Sequence, residues 1–250
     1  MKLALLSDIH SNVQALDACL EHAWLNGCTR FALLGDFVGY GGDPGAVMQK
    51  VMALAEDGAL VIKGNHDAMA VEPPAQSQQM GDSTARWTHE QLSAQQLEFL
   101  SALPMTATLG ACLLVHASAD APEKWRYVED ERSAGVSLEA AMQQPGVRYV
   151  FGGHVHHQTL YYKGSGRGLM AFKPTPGVEI PTPAHRQWIA TVGSVGQPRD
   201  GLPTAMYAVF DTDQARLCFQ RIPYDHAAAA ASVRRAGLPE FFAKRLEDGR

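Results

Sequence analysis

The hydrophobic pattern in the first part of the chain alternates between short apolar runs and longer stretches of helical period. The apolar runs cover residues 3–6, 31–34 and 60–62, and each has the length of a buried strand. Between the first two runs, apolar residues recur every three or four positions, as on the packed face of a helix. A strand, a helix and a second strand in succession favour parallel strands joined by a right-handed crossover.

The pattern changes character in the second half of the chain. Residues 112–115 and 149–151 are predicted strands, and residues 85–91 and 137–144 are predicted helices. Beyond residue 158 the helical stretches give way to four apolar runs, at residues 159–162, 188–192, 206–211 and 217–222. This succession predicts an antiparallel portion or a second sheet, in an α/β protein whose residues 1–250 form one domain.

Three stretches do not fit the alternation of strands and helices. Residues 73–83 are polar, which predicts a surface loop or a lid. Residues 173–183 are rich in proline, but Val178 and Ile180 make them too apolar for a free linker. We expect this proline loop to form a wall beside the substrate or to contact a second subunit. The alanine-rich tail predicts a C-terminal helix on the outside of the protein.

Composition narrows the class of protein. A chain of 250 residues that is 46% hydrophobic can build one substantial core. Its net charge of −5 argues against a stable nucleic-acid partner. The four cysteines show no CxxC spacing, which favours free thiols in a reducing compartment. The N-terminus does not resemble a signal peptide and no apolar stretch is long enough for a bilayer, so we expect a cytoplasmic protein without a membrane partner.

Polar residues follow the predicted strands at the points where the strands end. They are Asp8, His10, Asp36, Asn65, His66, Asp67, His116, His154 and His156. Since ligand sites lie at the carboxyl ends of parallel strands, these side chains are expected at one edge of the sheet. Asp8 and His10 are two residues apart, so in an extended chain both would face one ion. Ser11 is then the predicted N-cap of the first helix, with Gln14 completing a capping box.

The chemistry of this set points to metal ions. Imidazole nitrogens and carboxylate or amide oxygens, without thiolates, suit Mn, Fe, Zn, Ni or Co. The residues alone do not choose among these metals, and we take manganese as the first choice. An isolated Asp-x-His motif is also found in ordinary solvated turns, so the argument depends on the whole set.

The ordered set resembles the calcineurin-like metallophosphoesterase family. The motifs that carry the resemblance are Asp8-Ile9-His10, Gly35-Asp36, Gly64-Asn65-His66-Asp67, the lone His116 and Gly153-His154-Val155-His156. Residues 193–201 are similar to the bacterial and archaeal branch that includes small phosphodiesterases and dinucleoside polyphosphate hydrolases. Many members have Asn-Pro before this segment, where this chain has Thr191-Val192. The resemblance implies a two-sheet αββα sandwich of mixed strands flanked by helices.

The resemblance also implies a role for each site residue. Asp8, His10 and His156 would hold one metal ion. Asn65, His116 and His154 would hold a second ion, and Asp36 would bridge the two. His66 is then free to donate a proton to the leaving group or a hydrogen bond to the phosphoryl oxygen, and Asp67 could orient its ring.

The predicted function is hydrolysis of a small phosphodiester or phosphoanhydride by two metal ions. A dinucleoside polyphosphate is favoured, with Arg199 and Tyr40 contacting the substrate. The alternatives are a Ser/Thr phosphoprotein phosphatase and a non-catalytic scaffold on the same fold. The alternative to substrate binding is a surface salt bridge for Arg199. For Tyr40 the alternative is a loop position without contact to the substrate. A homo-oligomer is left open.

Overall fold

The structure, a computed structural model, describes residues 1–76, 80–164 and 168–250. The strands are β1 (Lys2–Leu6), β2 (Arg30–Leu33), β3 (Leu60–Val61), β4 (Thr106–Leu109), β5 (Cys112–Val115), β6 (Tyr149–Gly152), β7 (Gln158–Lys163), β8 (Leu169–Phe172), β9 (Glu179–Pro181), β10 (Trp188–Val192), β11 (Thr204–Asp211) and β12 (Arg216–Pro223). The helices are α1 (Val13–Leu25), α2 (Pro44–Glu56), α3 (Asn65–Val71), α4 (Ala85–Gln91), α5 (Ala94–Ala102), α6 (Glu131–Ala141), α7 (His226–Arg235) and α8 (Glu240–Asp248).

The strands form two mixed sheets of six. The first sheet has the order β3-β2-β1-β11-β12-β9, and the second has the order β4-β5-β6-β10-β7-β8. In the first sheet β1, β2 and β3 are parallel, as the sequence predicted, and β11 pairs antiparallel with β1. In the second sheet β5, β6 and β10 are parallel. The site residues lie just after the carboxyl ends of these parallel strands.

The alternation of side chains along β1 explains how the layers pack. Leu3 and Leu5 face the second sheet and lie in one buried cluster with Phe151. Ala4 and Leu6 point to the opposite face and pack in the cluster that contains the apolar side of α1. On the outer face of the second sheet, Leu138 of α6 belongs to the cluster of strands β5, β6, β7 and β10. The order of layers is therefore helix, sheet, sheet, helix, which confirms the predicted sandwich.

Two helix starts differ from the sequence prediction. The capping box at Ser11 is wrong: Ser11 has a φ of 55°, and Asn12 caps α1 by accepting a hydrogen bond from the Ala15 amide. Helix α6 was predicted to begin at residue 137, but it begins at Glu131 because the Asp130 side chain accepts a hydrogen bond from the Ser133 amide. At α1 the neighbouring Asn12 is the cap in place of Ser11, and at α6 the Asp130 cap lies before the predicted start of the helix.

The later segments contain more regular structure than expected. The proline loop includes β9, which pairs with the edge of β12, and the unpredicted β4 and β8 are short strands at or near sheet edges. The tail forms two helices, α7 and α8, rather than one. The predicted loop at residues 73–83 falls partly outside the described residues, and residues 80–84 form a 3₁₀ helix. In the part of the chain that the structure describes, no helix has the length and apolar character to cross a membrane.

Candidate metal centre

The predicted ligands converge because the chain turns sharply after each strand. Five of them have positive φ angles outside glycine: Asp8, His10, Asp36, His154 and His156, at 55°, 49°, 56°, 68° and 58°. The expectation that Asp8 and His10 share a direction through extended backbone is therefore wrong, since both are left-handed. This conformation costs free energy for residues with a Cβ, and its concentration at one place is typical of functional sites.

The first group of donors comprises Asp8, His10 and His156, all of them buried. The Nε2 atom of His156 lies 3.2 Å from Asp8 Oδ1 and 3.1 Å from His10 Nε2. The Nδ1 atoms of both histidines lie within hydrogen-bonding distance of backbone carbonyls, at 3.2 Å from Val38 for His10 and 2.7 Å from Gln197 for His156. A carbonyl only accepts, so each Nδ1 carries the proton and each Nε2 presents a lone pair.

These contacts test whether a cation fits the group. Two unprotonated nitrogens face each other, and the buried Asp8 Oδ1 has no hydrogen-bond partner. Ligands bound to a metal at about 2.1 Å lie about 3.0–3.4 Å apart when their bonds diverge by 90–110°. The two closest donor separations, 3.1 and 3.2 Å, fall in this range. A metal ion would satisfy all three donors at once.

The second group comprises Asp36, His116 and His154, with Asn65 beside it. His116 Nε2 lies 3.3 Å from Asp36 Oδ2 and 3.2 Å from Asn65 Oδ1, while its Nδ1 lies 2.7 Å from the Leu34 carbonyl. Asp36 Oδ2 also lies 3.8 Å from His10 Nε2 of the first group. The Asp36 carboxylate therefore lies between the two groups, and this donor set fits a cation in the same way as the first.

The charges in the centre compensate one another. Burial alone would raise the pKa of Asp36, but His116 and then His66 hold that pKa well below its usual range. Burial would lower the pKa of His116, yet the neighbouring Asp36 raises it to about 9. Burial and the His116 charge lower the pKa of His154 to about 4. Buried imidazoles and carboxylates held this close are a typical arrangement for cation binding.

His66 is buried beside the donors and belongs to a third group with His10 and Asp36. Its backbone amide donates to Asp36 Oδ1 at 2.7 Å, and its ring meets the His10 ring edge-on at 5.0 Å. The Tyr40 ring lies 4.4 Å from the His66 ring and 4.6 Å from the His10 ring, so the three rings contact one another. Burial lowers the pKa of His66, opposed by the charge of Asp36. The ring is thus held where it can reach a group bound at the centre.

Asp67 was predicted to orient His66, but within the described residues its carboxylate accepts hydrogen bonds from backbone amides instead. Its Oδ2 accepts from the backbone amides of Asp36 and Gly64, and its Oδ1 accepts from Phe37, each at 2.8 Å. Burial and then the Asp36 charge raise the pKa of Asp67 to about 7, while the Gly64 and Phe37 amides lower it. Asp67 therefore joins the turn after β2 to the start of α3, and we correct its role to positioning.

Tyr40 and Arg199 lie together at the edge of the centre. Tyr40 is in a left-handed turn, with its ring 4.6 Å from that of His10. The Arg199 Cζ lies 6.0 Å from the Tyr40 ring centroid, and its Nη2 donates to Gln197 Oε1 at 2.9 Å. Burial raises the pKa of Tyr40 to about 12. Within the described residues Arg199 forms no ion pair with a carboxylate, so the plain salt-bridge alternative receives no support.

An open cavity of about 910 Å³ adjoins the centre. Tyr127 lies on its wall and stacks on His154 with ring centroids 4.2 Å apart. Arg199, His157 and Pro174 also line it. The first part of the proline loop thus lines the cavity, and its place beside the substrate stays a prediction. His157 faces this cavity and belongs to none of the three donor groups in the described residues.

Sequence reasoning missed several residues of the site. The carbonyls of Leu34, Val38 and Gln197 fix the tautomers of three histidines, but a backbone acceptor leaves no mark on residue type. Arg245 of α8, which contacts Gln197, was also missed. It lies in an ordinary amphipathic helix, and no pattern in the sequence distinguishes it.

A two-sheet sandwich with clustered imidazole and carboxylate donors at its strand ends is typical of metal-dependent phosphoesterases. The model of the calcineurin-like phosphoesterase superfamily domain matches residues 1–215. The chain belongs to this superfamily.

The similarity to known proteins extends over the whole chain. A metallophosphoesterase from Sphaerobacter thermophilus superimposes with a TM-score of 0.86 at 32% identity, covering 100% of this chain and 99% of that one. An uncharacterized protein of Methanocaldococcus jannaschii is 29% identical over 254 residues, or 99% of this chain and 98% of the relative. A hypothetical protein of Pyrococcus horikoshii OT3 shares the fold, with a TM-score of 0.76 at 18% identity and coverage of 100% and 98%.

The corrected role of Asp67 gives a prediction. Asp67→Asn places an NH₂ group against backbone amides and leaves buried donors unpaired, so the free energy of unfolding should fall by about 2–3 kcal/mol. Metal content should fall with it, because the turn carrying Asp36 loosens. Urea unfolding and elemental analysis measure both. Asp17→Asn, which alters an exposed pair with Lys50, is the control and should change neither quantity. A loss of turnover with stability and metal content intact would instead restore the His66-orienting role.

Proposed function

We propose that this protein hydrolyses small phosphodiesters or phosphoanhydrides with two metal ions, that manganese serves best, and that dinucleoside polyphosphates are the preferred substrates. The observation that carries the proposal is the Asp36 carboxylate, whose Oδ2 lies 3.3 Å from His116 Nε2 and 3.8 Å from His10 Nε2. A carboxylate between two donor groups is the usual ligand shared by a pair of ions.

The residues of the chain divide the work between them. Asp8, His10 and His156 would hold one ion, Asn65, His116 and His154 would hold the other, and Asp36 would serve both. When bound, the two ions supply positive charge that polarises the phosphoryl oxygens. His66, buried against Asp36 and outside both ligand sets, donates a proton to the leaving oxygen. Burial of these groups keeps bulk water from screening the charges that form during the reaction.

The preference for a small substrate is supported by the cavity beside the centre. A volume of about 910 Å³ is within the range of pockets that enclose small molecules. Tyr127 is 53% exposed, so the face of its ring that does not stack on His154 can receive a base. Arg199 lines the same cavity and offers its guanidinium to a phosphate. A phosphoprotein would need a broad recognition surface, whereas these groups surround a cavity.

The shared role of Asp36 leads to a prediction about metal content. Asp36→Asn weakens both sites, because one carboxylate serves both ions. The variant should therefore bind less metal than Asp8→Asn or Asn65→Ala, each of which affects one site. Elemental analysis after dialysis against manganese measures this. Two full equivalents of metal in Asp36→Asn protein would contradict the shared ligand.

The role of His66 leads to a prediction about leaving groups. His66→Gln should keep both metal ions, while kcat falls by about 10²–10⁴-fold, the usual contribution of a general acid. The loss should be smaller for 4-nitrophenyl esters, whose leaving group needs little protonation. His185→Gln, at an exposed position, is the control. If metal is lost together with activity, His66 is a ligand rather than the proton donor.

The substrate class is tested by comparing kcat/KM for three compounds with the manganese-loaded protein. The compounds are diadenosine tetraphosphate, a cyclic nucleotide and a phosphoserine peptide. We expect the tetraphosphate to be the best, because it combines bases for the aromatic wall with additional phosphates for Arg199. A phosphopeptide that reacts fastest would favour the phosphatase alternative. Absence of turnover with every compound and metal would favour the scaffold.

A further inference from the structure

Two arginines from distant parts of the chain meet at one neutral oxygen. Gln197 Oε1 accepts hydrogen bonds from Arg199, at 2.9 Å from Nη2 and 3.3 Å from Nε. Arg245 Nη1, on α8, lies 3.5 Å from the same oxygen. The backbone carbonyl of Gln197 contacts His156 Nδ1, so this meeting point is one residue away from the first donor group.

The ion pairs among the described residues leave the positive charge of this arginine pair without an acidic side chain. Arg245 Nε donates to the main-chain oxygen of Arg250, the last residue of the sequence, at 2.6 Å, and neither Arg199 nor Arg245 forms a salt bridge with an Asp or Glu side chain there. By contrast, Arg234 of the neighbouring α7 contacts both Glu240 and Glu247 at 2.7 Å. Burial and then the Arg199 charge lower the pKa of Arg245. Two guanidinium groups held side by side this way attract an anion.

Helix α8 is fixed firmly enough to place Arg245. Phe242 is buried, with its ring 5.2 Å from that of Tyr40, and Leu246 is buried with it. The Gly249 carbonyl, just past the helix, accepts a hydrogen bond from the Gly201 amide at 2.7 Å. Gly249 has a φ of 67°, and a Cβ there would collide with the Leu202 backbone. The end of α8 is thus attached to the loop that carries Arg199.

We propose that Arg199 and Arg245 together bind a phosphate group of the substrate other than the one being hydrolysed. A guanidinium binds phosphate oxygens through two parallel N–H bonds, and a second guanidinium can take the remaining oxygens. Gln197 presents only an acceptor to the pair, so it aligns the guanidinium groups without neutralising them. The subsite makes α8 a selector for phosphoanhydrides with two or more phosphates. This inference rests on the proposed phosphoesterase function.

The binding test uses inorganic tripolyphosphate and EDTA-treated protein, so that metal ions do not contribute. Isothermal titration calorimetry compares the unmodified protein with Arg245→Ala, Arg245→Lys and Lys244→Ala. Arg245→Ala should weaken binding by about 10-fold or more, the usual effect of losing a charge-assisted hydrogen bond. The affinity of Arg245→Lys should lie between those of the unmodified protein and Arg245→Ala, since lysine keeps the charge but lacks the planar guanidinium. Lys244 is exposed on the same helix, so Lys244→Ala removes an equal charge and should bind as the unmodified protein does.

The kinetic test separates selectivity from folding. With manganese-loaded protein, Arg245→Ala should lower kcat/KM for diadenosine tetraphosphate at least about 10-fold more than for bis(4-nitrophenyl) phosphate, mainly through KM. Equal losses for both substrates would mean that Arg245 only supports the fold. Tripolyphosphate binding that is absent, or that is equal in Arg245→Ala and Lys244→Ala, would overturn the subsite. Failure of the unmodified protein to hydrolyse any ester would refute the proposed function instead, while calorimetry still decides the subsite.

Discussion

The polar groups of Asp36 together contact three other segments of the site. Its amide donates to Asp67 at 2.8 Å, and its carbonyl accepts from the His10 amide at 3.0 Å. One carboxylate oxygen accepts from the His66 amide at 2.7 Å, and the other lies 3.3 Å from His116 Nε2. The turns after β1, β2, β3 and β5 are therefore fixed relative to one another by a single buried residue. A buried charge is stable only when such contacts compensate it, so the geometry of the centre and the stability of its turns depend on the same interactions.

This dependence explains why strained backbone is concentrated at the strand ends. Left-handed turns at Asp8, His10 and Asp36 aim the donors of these residues into the centre. The free-energy cost is offset by hydrogen bonds from each turn to the next. Close approach imposes a further condition at Gly64, where a Cβ would collide with the Asp36 carboxylate. Glycine before Asn65 therefore follows from packing, independently of any role in catalysis.

The sequence allowed the two-sheet sandwich to be predicted, along with the set of donors that the structure brings together. The strands and the donors depend on local signals, because apolar runs mark strands and polar residues of defined chemistry follow them. The sandwich was implied by the resemblance of the motifs to a known family. The predictions were wrong where a contact with a distant part of the chain determines the local structure. Asp67 was expected beside the His66 ring, but its carboxylate accepts hydrogen bonds from three amides, two in the turn after β2 and one at the start of α3. The strand β9 is formed by pairing with β12, although its own residues are rich in proline. Arg245 becomes part of the site only because α8 docks beside Tyr40.

The position of α8 along the chain suggests how chemistry and selectivity are divided. The superfamily domain matches residues 1–215, which include every predicted metal ligand, whereas α7 and α8 lie beyond it. Phe242 and Leu246 attach α8 to the centre through apolar contacts, which constrain position but not the chemistry of the exposed face. A residue such as Arg245 can therefore differ between proteins of this fold without disturbing the metal ligands. On our proposal the core cleaves a phosphate ester, and the C-terminal helix favours the binding of substrates that carry further phosphates.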